Sequence, residues 1–287
     1  MANLKEIRAR ITSVSSTMQI TSAMKMVSAA KLKRATDAIV QMRPYAEKLT
    51  EILGNVSSSL SADEGVFTRQ GEVKNVLVVA ISSNRGLCGA FNANVNKKVE
   101  ALKATLPADC TIHYLSVGKK SNDYLKRQKY DVAGAYPEIW DNLSFEEASV
   151  LAESLMNDFA SGKYDRIVLV YNSFKNPATQ FVVAEDFLPI GMPEGSESAS
   201  QMDYLFEPNK AEILDTLIPQ SLKTQFFKAL LDSNASEHGA RMTAMHKATD
   251  NASALRKDLR LTYNKLRQAS ITTEILEIVS GANALDS

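Results

Sequence analysis

The chain has 287 residues, 45% of them hydrophobic, with 33 basic and 33 acidic side chains. This profile excludes a disordered chain and gives no bulk electrostatic reason to bind nucleic acid or membrane, so any charge signal must be local. Cys88 and Cys110 have neither CxxC nor metal-site spacing, which excludes a disulfide framework and favours free thiols in a reducing compartment. The opening MANLKEIRARI lacks the apolar core of a signal peptide, and no apolar run approaches the roughly 20 residues of a membrane span. A cytoplasmic setting, or one facing the cytoplasm, is expected.

The first predicted element is a single helix of unusual length. Leu4, Ile7, Ile11, Val14, Met18, Thr21, Lys25, Ser28, Leu32, Ala35, Ile39 and Met42 step by three and four, the seam of a coiled coil. The seam is apolar at both ends and thin in the middle, where ITSAMKMVSAAKLKRATDAI is small-sided and basic. Pro44 is expected to bend this helix rather than end it, because the pattern resumes at Tyr45, Leu49 and Ile52. From residue 66 to 205 the character changes. NVLVVAIS, TIHYLSV and DRIVLVYNSF read as buried strands separated by helical windows such as FNANVNKKVEALKA and SFEEASVLAESLMNDFA, a βαβ pattern that implies a mostly parallel sheet covered by helices. QFVVAEDFLP adds an edge strand.

From about Asn209 onward the sequence is helical again, with a kink expected at Pro219. Met245, Ala248, Ala252, Leu255, Leu259, Thr262, Leu266, Ala269, Thr273 and Leu276 form a second three-four seam. The expected fold is therefore α/β: a Rossmann-like domain (66–205) between an N-terminal helix (1–60) and a C-terminal helix (209–287) that pair as a long antiparallel coiled coil. At ~1.5 Å per residue, about 75 residues against about 55 leave the second helix overhanging by roughly 30 Å. In the overhang Ile271, Ile275, Leu276, Ile278, Val279 and Leu285 spread around more of the helix than a two-helix seam covers. Either another protein sheathes this tip or it folds back on the central domain.

Three long stretches resemble the gamma subunits of F-type ATP synthases: IRARITSVSSTMQITSAMKMVSAAKLKRA, VAISSNRGLCGAFNANV, and RMTAMHKATDNASALRKDL with YNKLRQASITTEILEIVSGANAL. The resemblance covers the chain in order. It implies a central rotor shaft inside a ring of three alpha and three beta subunits, with a base that joins epsilon and the c-ring. It implies no cofactor, no metal and no catalysis by the chain alone. By the same resemblance Met24, Arg241, Gln268 and Thr272 are coupling contacts, with Arg267 beside them. Lys25, Lys31, Lys33 and Arg34, with Arg8 and Arg10 further along, supply charge complementary to acidic beta-subunit loops. The tip would turn in an apolar sleeve, and Tyr204, Leu205, Phe206 and Glu207 would lie near the c-ring and epsilon. No chloroplast-type cysteine pair is inserted, so thiol regulation is not expected. The absence of a transit peptide suits a bacterial subunit at the cytoplasmic face of the inner membrane.

Without the resemblance, the basic stretch reads as a solvated face. SSNRGLCGAFN follows a strand and opens a helix, yet with only Gly86 and Gly89 it satisfies neither phosphate-loop pattern. VGKKS fails too, because His113 stands where the first glycine is needed and Lys120 where a Ser or Thr would hold magnesium. His113, His238 and His246 lack metal spacing, and Glu146, Glu147, Glu274 and Glu277 fit solvated helix faces. A coiled-coil nucleic-acid binder and a nucleotide-dependent enzyme are the competing classes; salt-dependent DNA binding and ATP titration discriminate them.

Overall fold

The computed structural model describes residues 4–57, 66–69, 71–107, 109–190 and 210–285. In chain order the elements are α1 (Leu4–Ser57), β1 (Asn75–Ile81), α2 (Phe91–Thr105), β2 (Thr111–Val117), α3 (Lys119–Arg127), β3 (Val132–Ala135), a 3-10 turn (Glu138–Trp140), α4 (Phe145–Ala160), β4 (Arg166–Asn176), β5 (Thr179–Leu188) and α5 (Lys210–Leu285). Both prolines lie inside their helices, Pro44 in α1 and Pro219 in α5. The compact units cut across the long helices. One comprises Met1–Ser28 with Met242–Ser287, the other Ala29–Arg241.

In the larger unit the sheet order is β3-β2-β1-β4-β5. β1 is parallel to both β2 and β4, β2 is parallel to β3, and β5 closes the edge antiparallel to β4. From Val76 to Ile81 β1 is apolar because both faces are covered. Leu77, Val79 and Ile81 face a core with α4 and α5, and Val76, Val78 and Ala80 a core that includes Val95, Val99 and Leu125 of α2 and α3. Such double burial makes a parallel strand read as a continuous apolar run. α4 begins at Ser144, whose Oγ accepts from the Glu147 N–H at 3.3 Å, with Glu146 and Glu147 in the first turn where the helix dipole favours carboxylates. The sequence reading missed β3. At four residues, VAGA, with no residue fully buried, it carries too little alternation to register as a strand.

In the smaller unit α1 and α5 run antiparallel, with Thr21 bonded to Thr249 at 2.8 Å between hydroxyls and Arg8 Nη2 donating to the Tyr263 hydroxyl at 3.4 Å. Every predicted α1 seam position from Leu4 to Ser28 is buried or half-buried. The α5 seam is corrected at alternate steps. Met245, Ala252, Leu259 and Leu266 turn inward as expected, but Leu255, Thr262 and Ala269 are exposed, while Thr249, Arg256, Tyr263 and Ser270 take the half-buried places. The two frames share Met245, Ala252, Leu259 and Leu266 and differ at the positions between, where apolarity alone selects the wrong one. Long amphipathic side chains win because their stems and rings cover more of the facing helix, as the Arg8 guanidinium does 5.9 Å from the Tyr263 ring centroid.

Candidate functional site

Along the smaller unit the expected contact residues fall into two classes. Met24 and Lys25 sit half-buried at the edge of the α1 seam, whereas Arg267, Gln268 and Thr272 are exposed. The Thr272 hydroxyl donates only to its own helix, to Gln268 O at 2.9 Å. Beyond Ser270 every α5 residue described for burial is exposed. Ile271, Ile275, Leu276, Ile278 and Val279 keep 48–71% of their surface in solvent, and α1 does not cover them within the smaller unit. The structure also exposes apolar residues that the sequence reading passed over: Ile20 at 60%, Met26 at 65% and Val27 at 58%. Ile20, Met24 and Val27 follow four- and three-residue steps off the seam, and in sequence the same stepping continues to Lys31 and Arg34. A second stripe beside the first was the available signal.

In the larger unit Lys31, Lys33 and Arg34 are exposed on α1. Arg241 is different. Only 9% exposed, it donates from Nη1 to Glu237 Oε1 at 2.6 Å and from Nη2 to the carbonyls of Arg85 and Gly86, both at 3.3 Å. It therefore ties α5 to the loop that leaves β1 and is not displayed on the surface. Burial pushes the Glu237 carboxyl up, and the charges of Arg241, Lys31 and Arg85 oppose this. His238, beside Arg241, is pushed down to about 4, first by burial and then by the cations Arg241 and Lys31. Tyr204, Leu205, Phe206 and Glu207 lie outside the described residues.

The His238 environment gives a pH prediction. Below about pH 6.5 the unfolded chain takes up a proton that the folded ring refuses until about pH 4, so stability is lost as pH falls through that window. For a half-buried ring with residual solvent screening, about 1–2 kcal/mol is expected. Asp232 and Glu237, both raised by burial, act with the opposite sign. The readout is therefore the difference between wild type and His238→Gln in urea unfolding at pH 7 and pH 4.5, where the variant should lose less on acidification.

At the carboxyl ends of β1 and β2, where doubly wound folds hold phosphates, the two loops bond to each other. The first amides of α3 are already used: Lys119 N donates to Asn84 Oδ1 at 3.0 Å, Lys120 N to Ser83 O at 3.1 Å and Ser121 N to Ser82 Oγ at 2.9 Å. Asn92 accepts from Ser83 N at 3.1 Å and donates to Ser83 Oγ at 2.8 Å. Beside them, at β4, Ser236 of α5 donates to Asn172 O at 3.1 Å. The first three amides of α3, which a phosphate would need, are thus satisfied within the chain. Among the described residues no group of His, Cys, Asp or Glu has metal-site geometry, and no helix is long and apolar enough to cross a membrane.

What kind of protein combines such a sheet with a bare helical tip is decided by comparison. The family model described as ATP synthase matches residues 3–285. The ATP synthase gamma chain of Christiangramia forsetii is 62% identical over 287 residues, all of both chains. This chain belongs to the ATP synthase gamma chain family. The gamma chain of Flavobacterium johnsoniae is 61% identical, again over the whole of both chains. Among solved structures, a chain from the central stalk and c-ring of Tetrahymena thermophila mitochondrial ATP synthase is 28% identical with a TM-score of 0.61, covering 80% of this chain and 99% of that one. A chain from the Euglena gracilis mitochondrial enzyme shares the fold at TM-score 0.74 and 23% identity, over 98% of this chain and 94% of its own. The α/β sheet flanked by two long helices is thus the gamma chain architecture.

Proposed function

We propose that this chain is the central rotor stalk of a bacterial F-type ATP synthase, a non-catalytic subunit at the cytoplasmic face of the inner membrane. Full-length identity to gamma chains carries this reading, and the exposed apolar tip supports it. The helices of 1–60 and 209–287 form the shaft inside three alpha and three beta subunits, and 66–205 form the base that joins epsilon and the c-ring. Proton flow turns the c-ring, the base turns with it, and the shaft presents different faces in turn to the three catalytic beta subunits. The shaft must differ in contact free energy among the open, loose and tight nucleotide-binding states, because a partner that contacts them equally shifts none of them.

The candidate contacts fit that task. Met24, with Ile20 and Val27, offers apolar surface of modest size that adheres to changing neighbours without locking into one. Lys25, Lys31, Lys33 and Arg34 suit acidic beta-subunit loops; Arg267, Gln268 and Thr272 supply exposed polar groups on α5. Ile271, Ile275, Leu276, Ile278 and Val279 form the bearing, and Tyr204, Leu205, Phe206 and Glu207 belong to the c-ring and epsilon side. Arg241 contributes by holding the loop after β1 in place. Met24→Lys puts a cation on the apolar stripe at a tight contact. In inverted membranes it is expected to lower proton-driven ATP synthesis relative to ATPase turnover severalfold; an unchanged ratio would remove Met24 from the coupling surface.

A further inference from the structure

The α/β domain is polarised in charge across its sheet. Between Lys97 and Lys129 the sequence carries eight Lys and Arg against Glu100, Asp109 and Asp123; between Glu138 and Asp158 it carries six acids and no cation. The basic stretch includes α2 and α3, which pack side by side on one face of the sheet through Val95, Val99 and Leu125. The acidic stretch includes α4, on the other face. Glu100 adds little to the basic exterior, because its carboxylate accepts from the Tyr130 hydroxyl at 2.8 and 2.9 Å and from the Tyr124 hydroxyl at 3.1 Å. Lys97, Lys119 and Lys126 point into solvent, and no described carboxylate forms an ion pair with them.

We propose that the lysine-rich outer face of α2 and α3 is an electrostatic docking surface for anionic phospholipid headgroups. The proposal rests on the central-stalk reading, which brings the base beside a membrane-embedded c-ring. Two observations favour lipid over a protein partner. Between Phe91 and Ala135 no described large apolar side chain is exposed, so the face lacks the apolar anchor on which stable protein interfaces depend. Of the eight cations between Lys97 and Lys129 only Arg127 is an arginine; lysines are hydrated point charges suited to diffuse attraction, whereas arginine forks suit fixed, desolvated pairing. Attraction of this kind to a negative surface falls off within a Debye length and needs no register. It can hold a turning base toward the bilayer without locking its angle.

The test is vesicle flotation of the full chain. The vesicles are phosphatidylcholine alone or phosphatidylcholine with about a quarter phosphatidylglycerol, at low salt and at about 0.5 M salt. Neutral vesicles measure what the apolar tip contributes. Wild type should bind anionic vesicles about tenfold more tightly than neutral ones, and both salt and Lys97→Glu/Lys119→Glu/Lys126→Glu should remove that excess. The milder Lys97→Gln/Lys119→Gln/Lys126→Gln should fall between and serves if the charge-reversed chain misfolds. Equal binding to both vesicle types, or a charge-reversed chain that floats like wild type, overturns the proposal. So does failure to float combined with loss of assembly of the charge-reversed chain with alpha and beta subunits, which would assign the face to an acidic protein. If wild type floats as expected yet never assembles with alpha and beta, the stalk reading fails and the lipid surface stands.

Discussion

Gly118→Val is expected to abolish stable folding or to lower stability by more than about 3 kcal/mol. Gly118 has φ of 110° where β2 passes into α3, and a Cβ there would lie 2.1 Å from the Ser82 carbonyl oxygen and 2.7 Å from its carbon. Two independent costs coincide: a backbone conformation that β-branched residues rarely adopt, and an overlap with main chain that cannot swing aside. Ser82 cannot retreat cheaply, because its N–H donates to Val117 O at 2.8 Å and its Oγ accepts from Ser121 N. Urea unfolding measures the effect. Gly71→Ala is the control, since nothing lies within 4 Å of its added Cβ, and it should leave the midpoint nearly unchanged. A Gly118→Val chain that unfolds at the wild-type midpoint would mean that the β1 and β2 exits are not interlocked as described.

Arg241→Ala should cost about 3–5 kcal/mol, because it removes one member of a buried ion pair and leaves the other without its direct partner. Glu237, itself only 9% exposed, would lose its 2.6 Å partner, and the carbonyls of Arg85 and Gly86 would lose their donor. The sign of the pH dependence follows. Burial already raises the Glu237 carboxyl, and without Arg241 it rises further. The folded chain then favours the protonated acid, and stability falls as pH climbs from the ordinary carboxylate range toward the elevated value. The deficit should be smaller near pH 5 than at pH 8. Adding Glu237→Leu should recover much of it, since an apolar pair avoids the buried charge. A loss under about 1 kcal/mol would place the pair in the class of surface ion pairs.

The sequence was most legible where one physical cause dominates. The β1 and β4 runs VLVVAI and IVLV are apolar because both sheet faces are covered, and the order of the strands with the helical windows leaves few topologies besides a mostly parallel sheet. The α1 seam was read correctly through Ser28 because, as far as Gln19, its neighbours off the seam are small, polar or charged and offer no rival apolar frame. The α5 seam went wrong at Leu255, Thr262 and Ala269, where a frame chosen for apolarity competed with one chosen by contact area at Arg256 and Tyr263. β3 was too short and Gly-containing to announce itself. Arg241 shows another limit. Sequence identifies a cation, but only the fold shows it buried against Glu237 and two carbonyls. Ile20, Met26 and Val27 were visible as letters, yet their exposure depends on which face the partner helix takes.

A central stalk is the part on which an alpha-beta ring depends for sustained turnover. The decisive measurement is co-purification of the tagged chain with its alpha and beta subunits, followed by steady-state ATPase of the assembled material. A complex with one copy of this chain per three alpha and three beta subunits, whose sustained ATPase requires the chain, is the predicted result. Recovery of the chain alone, with alpha-beta ATPase unaffected by its presence, would contradict the central-stalk reading.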